Sequence, residues 1–243
     1  MRTIAIIQTR MGSKRLPGKV LKKIGDRTML ARVIERARQA SAVDAIVVAT
    51  TTDRGDDAVL RECKRLGVAS FRGSSEDVLD RYHAAATEHR AVEVVRITCD
   101  CPLLDPEVVD RVVGALREGR SDYASNTVER TFPLGLDAEA FTFQALRTAW
   151  KEAKKPYERA HVTPYLWQHP DLFRIRQVKA DGDFHTHRWT VDTPEDLEFI
   201  RAVYARLRDP ERFTWRDVLG VVQADPALEA INRHVRQKSL EEG

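Results

Sequence analysis

Between residues 3 and 118, short apolar runs alternate with stretches whose apolar residues recur at helical spacing. This alternation limits the fold more than any single motif does. TIAIIQT (3–9), DAIVVATTT (44–52), ASF (69–71) and VEVVRITC (92–99) read as strands. Helical patterns follow each of them. Met29, Leu30, Val33, Ile34 and Ala37 share one face over 28–40, and Val59, Cys63 and Leu66 do so over 56–66. Val78, Leu79, Tyr82 and Ala86 mark a helix over 77–90. Asp105-Pro106-Glu107 opens another over 106–118, with the aspartate as N-cap and the proline at the first helical position. Strands that are apolar throughout and joined by helices predict a largely parallel sheet covered on both faces.

After residue 120 the rhythm loosens. YASNT and LDAEAFTF read as strands, 143–153 and 158–168 as helices, and FRIRQVK as a further strand. The alternation then resumes with HRWTVD as a short strand, and Thr193-Pro194 caps a helix that carries Leu197, Ile200, Val203, Tyr204 and Leu207 at core spacing. The expected fold class is α/β: a doubly wound, mostly parallel, Rossmann-like sheet in one domain over 1–243. An α+β subregion is inserted at about 125–185, and 208–243 forms a peripheral helical tail.

Composition narrows the function classes. Forty basic residues against 37 acidic ones leave a net charge of only +3, which argues against a nucleic-acid-coating protein. Three cysteines cannot make a disulfide framework, so a reducing, cytoplasmic setting is expected. Cys99 and Cys101 have no second pair with which to hold zinc. No apolar run approaches a membrane span or a signal-peptide core.

In an open parallel sheet, ligands bind outside the carboxyl ends of the strands. Five polar clusters fall at such ends: Arg10 to Lys19, Thr50 to Asp53, Arg72 to Asp77, Asp100, and Asp192. The first, RMGSKRLPGK, resembles a phosphate loop but has five residues between its glycines and Val20 after its lysine, so it is not a P-loop. Arg10, Lys14, Arg15 and Lys19 suit phosphate oxygens, Gly12 permits close backbone approach and Ser13 offers a hydroxyl. A solvated basic turn is the competing reading; Leu16-Pro17, an apolar residue stiffened by proline, favours a loop organised against a ligand. Asp100 and Asp192 are the metal candidates, since Asp105 and Thr193 already hold the capping positions that would otherwise explain them. Glu158 and His161, three apart on a helix, either read a polar substrate or form a surface pair. His185 and His187 match no metal-site spacing.

IIQTRMGSKRLPGKVL is similar to the N-terminal signature of the CMP-sugar synthetases, the acylneuraminate and 3-deoxy-manno-octulosonate cytidylyltransferases, and most of all to their spore-coat polysaccharide biosynthesis F-type branch. ATTTDRGDD, FRGSSEDVLDRY, RITCDCPLLDPEVVD, PLGLDAEAF, ERAHVTPYL and RWTVDTPEDL match in order, so the resemblance covers about residues 3 to 205. Thr9 stands where alanine is usual and Cys99 where a small residue such as glycine is common; neither departure removes a charge.

The resemblance implies a nucleotide-diphospho-sugar transferase fold, a homodimer formed through the inserted region, and cytidylyl transfer from CTP to a 2-keto sugar acid with release of pyrophosphate. It implies that Arg10, Ser13, Arg15 and Lys19 hold the phosphates, and that the loop backbone at Met11 and Gly12, with Thr50, Arg72 and Asp77, borders the nucleoside. It implies Mg²⁺ on Asp100 and Asp192, with Arg10, Lys19 and Asp100 carrying the chemistry. Asp137, Glu139, Glu158, Arg159, His161 and Arg188 would face the sugar. The alternatives are the same reaction with GTP or another sugar, a P-loop-like kinase, and a non-catalytic nucleotide-binding scaffold.

Overall fold

A computed structural model describes residues 2–238. Strands β1 (Thr3–Gln8), β4 (Ala45–Thr51), β5 (Ala69–Gly73) and β6 (Glu93–Thr98) pair in parallel, with β1 in the middle. Their side chains alternate between two cores, as the period of two in a strand requires. Ala5 and Ile7 of β1, Val48 of β4, and Val95 and Ile97 of β6 point into one core; Ile4, Ile6, Val47, Ala49 and Val94 point into the other. Helices α1 (Met29–Ala37), α2 (Asp57–Arg65) and α4 (Pro106–Glu118) cover the first face, and α3 (Val78–Glu88) covers the second.

The inserted region extends this sheet instead of standing apart from it. β7 (Tyr123–Ser125), β8 (Glu139–Thr142) and β9 (Ile175–Gln177) complete a seven-stranded sheet in the order β5-β4-β1-β6-β8-β7-β9, in which β8 alone is antiparallel to its neighbours. Helix α5 (Phe143–Glu152) joins the second face. A hairpin of β2 (Lys23–Ile24) and β3 (Arg27–Thr28) precedes α1 and is not visible in the apolar pattern, because each strand has only two residues.

Three expectations need correction. The helix expected over 158–168 is two short ones, α6 (Pro156–His161) and α7 (Pro164–Gln168), because Val162 takes a left-handed φ of 72° and Pro164 cannot donate a helical hydrogen bond. HRWTVD is not a sheet strand. It runs beside residues 134–136 through one bridge, with Trp189 N donating to Leu134 O at 2.7 Å, and then Val191 N donates to Asp100 O at 2.8 Å. Gly135 makes this close pass possible: at φ 110°, any Cβ there would lie 2.6 Å from the Trp189 carbonyl carbon. Finally, the tail is not peripheral. After α8 (Pro194–Tyr204), helices α9 (Trp215–Ala224) and α10 (Ala227–Asn232) bury Trp215, Val218, Val222 and Leu228 in the first core. Residues 239–243 of the expected tail lie outside the described residues.

Candidate active site

The chain runs from β1 outward to β4 and β5 and then returns to the far side of β1 as β6, so the sheet order switches between β1 and β6. The loop after β1 and Asp100 after β6 meet at this crevice. The loop is folded on itself: Met11 O accepts from Ser13 N at 2.9 Å and from Gly18 N at 3.0 Å. Gly18, at φ 66°, supplies the left-handed residue that this turn requires, and Leu16 is buried in the first core beneath it. The loop ends in a single 3₁₀ turn over Lys19–Leu21, which aims Lys19 back across the crevice.

Lys19 is the centre of the site. Its Nζ donates to Asp100 Oδ2 at 2.9 Å, to Asp192 Oδ1 at 3.0 Å and to Val191 O at 2.8 Å, so all three ammonium protons are placed. Burial works against a charged lysine here, but the two carboxylates outweigh it and raise its pKa above the ordinary value. Burial also opposes ionisation of Asp100; the Lys19 charge and hydrogen bonds from Thr98 and Lys19 overcome it and hold the carboxyl down at about 2. Asp192 additionally meets Arg15 at 3.1 Å and Arg188 at 3.1 Å. Chain segments far apart in sequence thus bring two carboxylates onto one cationic centre.

Beyond this cluster opens a cavity of about 740 Å³, lined by Arg15, Asp100, Asp137, Glu139, His161 and Asp192 among the residues expected at the site. Arg10, Gly12 and Lys14 lie exposed on the loop, and Ser13 Oγ accepts from Leu16 N at 3.3 Å. The remaining expectations are redirected. Thr50 is fully buried and donates to Asp56 Oδ2 at 2.8 Å, so its hydroxyl is turned into the protein. The guanidinium of Arg72 is committed to Thr51 O, Asp53 O and Asp57, each at 2.8 Å. Asp77 caps α3 at Asp80 N, 2.9 Å away, and its other oxygen binds Arg159, which also donates to Trp150 O. Glu158 is buried, its carboxylate accepting from the Lys154 and Lys155 amides at 3.1 and 3.0 Å, so it caps α6. Arg188 bonds to Asp192, Asp196 and Gln237 and lies outside the cavity wall.

Several residues that matter escaped the sequence reading. Asp56, 2% exposed, accepts from Met11 N at 2.7 Å, from Thr50 Oγ1, and from both the amide and hydroxyl of Thr51. It ties the basic loop to the end of β4. Burial opposes its charge, but these hydrogen bonds prevail and lower its pKa. Arg96 and Arg130 reach the cavity from β6 and from the loop after β7. Arg96 is paired with Glu139 directly across the β6–β8 ladder, and Glu139 also accepts from Tyr123 and Thr163, each at 2.6 Å. Burial opposes the Arg96 charge, yet Glu139 outweighs it and raises its pKa. Arg130 grips Asp137 with two nitrogens at 2.5 and 2.8 Å. Asp137 and Glu139, two of the three carboxylates expected to face a sugar, therefore orient arginines that face the cavity. The signal for Arg96 was present: a lone arginine inside VEVVRIT needs a buried partner.

Comparison with known proteins identifies the family and the fold. A family model described as cytidylyltransferase matches residues 4–215. The spore coat polysaccharide biosynthesis protein SpsF of Bacillus subtilis is 33% identical, over 91% of this chain and 94% of that protein. A 3-deoxy-manno-octulosonate cytidylyltransferase of Anaeromyxobacter is 30% identical, over 84% of this chain and 99% of that enzyme. Among solved structures, a cytidylyltransferase from Leptospira borgpetersenii superposes with a TM-score of 0.90 at 33% identity, covering 98% of this chain and 100% of that one. A basic loop and paired aspartates at the switch point of a parallel sheet stand within a family match that spans residues 4–215, and this chain belongs to the cytidylyltransferase family.

Proposed function

We propose that the protein transfers a cytidylyl group from CTP to a hydroxyl of a sugar acid and releases pyrophosphate. The acceptor oxygen forms the new bond to the α-phosphorus as the bond to pyrophosphate breaks. The observation that carries this reading is the convergence of Asp100 and Asp192 on Lys19 Nζ, at the sheet's switch point and beneath a basic loop. Arg10, Arg15 and Lys19 neutralise the triphosphate, and Ser13 and the Gly12 backbone stand beside it. Arg96 and Arg130, preset by Glu139 and Asp137, receive the acceptor's carboxylate, a role the resemblance gave to other arginines.

The residues fit Mg²⁺ as a partner of the nucleotide. Asp100 and Asp192 already share one cation, their donors are all oxygen, and no cluster of three metal-ligating side chains exists among the described residues. Two carboxylates with phosphate oxygens and water suit the octahedral demand of Mg²⁺ better than a closed protein cage would. When bound, the ion would offset charge at the reacting phosphate. In the same reading, the product feeds surface or spore-coat polysaccharide synthesis, and the protein is a homodimer. Val128 and Leu172, two exposed large apolar side chains, fall in the inserted region that would pair.

Pyrophosphate release measured with each of four nucleoside triphosphates, against neutral sugars and sugar acids, with and without Mg²⁺, tests the reading. CTP with a sugar acid and Mg²⁺ is the expected productive combination. Preference for GTP would move the donor assignment, ADP formation would indicate a kinase, and nucleotide binding with no turnover on any acceptor would leave a scaffold.

A further inference from the structure

The chain beyond residue 215, where the family model ends, returns to the cavity: Gln237 and Lys238 line its wall. Asn232, at the end of α10, is buried, and its Nδ2 donates to Asp196 Oδ1 at 3.0 Å and to Arg188 O at 3.1 Å. Five residues on, Gln237 Oε1 accepts from Arg188 Nη1 at 2.6 Å. Glu229 pairs with His187, next to Arg188. Polar side chains of residues 229–237 thus gather around one arginine.

That arginine links two acids. Its Nε and Nη2 each lie 2.9 Å from Asp196, which has no exposed surface, and Nη2 also lies 3.1 Å from Asp192 Oδ2. Asp196 in turn accepts from the Asp192 amide at 2.9 Å, so both the backbone and the carboxylate of Asp192 are fixed by the Arg188–Asp196 pair. Gln237 suits the last guanidinium nitrogen because it accepts a hydrogen bond without adding a third negative charge. Asn232 suits Asp196 for the complementary reason: it donates to an acid that burial would otherwise neutralise.

We propose that residues 227–238 form a positioning strap for Asp192, acting through Arg188 and Asp196. The strap fixes the carboxylate that shares Lys19 with Asp100, and it rests on the proposed transfer reaction, in which Asp192 meets the metal-bound nucleotide. Gln237 and Asn232 are positioning residues; neither touches the reacting atoms.

Titration calorimetry with Mn²⁺ and CTP reads the strap without an acceptor. Gln237→Ala lies on the surface and should bind Mn²⁺·CTP about fivefold more weakly, with binding of CTP in EDTA unchanged. Its melting temperature should stay within about 2 °C of the parent. Gln237→Asn, which keeps a neutral carbonyl acceptor within reach of Arg188, should recover part of the lost binding, to within about twofold of the parent. Asn232→Ala should lose about twentyfold, and if it fails to fold the Gln237 pair decides alone. Parental binding by Gln237→Ala, equal weakening with and without metal, or no rescue by asparagine overturns the strap. A parent protein that binds Mn²⁺·CTP but releases no pyrophosphate overturns the transfer reaction while leaving the binding comparison valid.

Discussion

Lys19 Nζ stands 2.9 Å from Asp100 and holds that carboxyl at a pKa of about 2, so the site's principal cation and principal acid define each other's charge. The same ammonium group bridges to Asp192 at 3.0 Å. The cluster is organised before any nucleotide arrives, which reduces the reorganisation needed when phosphate charge enters.

Replacing Lys19 with methionine removes the bridge and leaves two carboxylates facing each other. The expected loss in turnover is about 10²–10³-fold, and the loss in stability near neutral pH is about 2 kcal/mol. The sign of the pH dependence follows from the folded pKa values. Asp100 lies below its ordinary 3.8, so its contribution is present above about pH 4 and fades as pH falls through about 2. Lys19 is raised above 10.5, so its contribution is present below that value and fades only as pH climbs beyond it. Thermal melts across pH should show the widest gap between parent and Lys19→Met from about pH 4 to 10, narrowing at the acid end. A gap that stayed constant down to pH 2 would mean the ion pair contributes no stability.

Asp100→Asn separates metal chemistry from folding. The amide keeps an oxygen for Lys19 but gives up the charge that a magnesium ion would need. Turnover should fall by about 10³-fold or more, while the melt stays cooperative with its midpoint lowered by loss of the ion pair with Lys19. Pyrophosphate release assayed over a range of Mg²⁺ concentrations is the measurement. Full activity in this variant would make Asp100 a turn residue.

Asp56 is expected to govern the basic loop. Asp56→Ala strips partners from the buried hydroxyls of Thr50 and Thr51 and from the Met11 amide, a cost of about 1–3 kcal/mol. Because Met11 begins the basic turn proposed to hold the triphosphate, the half-saturating CTP concentration should rise while that of the acceptor stays fixed. The Asp56 pKa is lowered in the folded state, so its contribution is present above the ordinary carboxylate range and lost as pH falls below it. Steady-state kinetics with CTP varied check the first point, and denaturant melts of parent and variant at pH 7 and pH 3 check the second.

Lys19, Asp100 and Asp192 were legible because each ends or follows an apolar run, and parallel sheets gather such ends at one edge. The contacts that orient them were not. Glu158 carries the same polar signal as a substrate-reading acid, yet Pro156 at the first helical position and Glu158 two residues later also spell a helix cap, and burial decides between the two. Arg96 and Glu139 sit in strands 43 residues apart, and only the antiparallel register of β6 and β8 shows that they face each other. The 187–191 segment has the composition of a strand, but its neighbours offer one bridge and no ladder. Local pattern fixes which elements form; long-range pairing fixes which charges meet.

The Arg130–Asp137 pair gives the sharpest test of acceptor recognition. Both side chains are about a quarter exposed at the cavity wall, so removing one leaves its partner hydrated and the fold intact. Arg130→Ala should raise the acceptor KM about 10–100-fold, the value of a charge-assisted pair, and leave the CTP KM within about twofold. Arg130→Lys keeps the charge but not the planar fork and should fall between the two. The penalty should also depend on the acceptor, being large for sugars that carry a carboxylate and small for their neutral counterparts. Steady-state kinetics on matched pairs of acid and neutral sugars measures this difference. Equal losses on both would show that Arg130 shapes the wall of the cavity without reading the acceptor's charge.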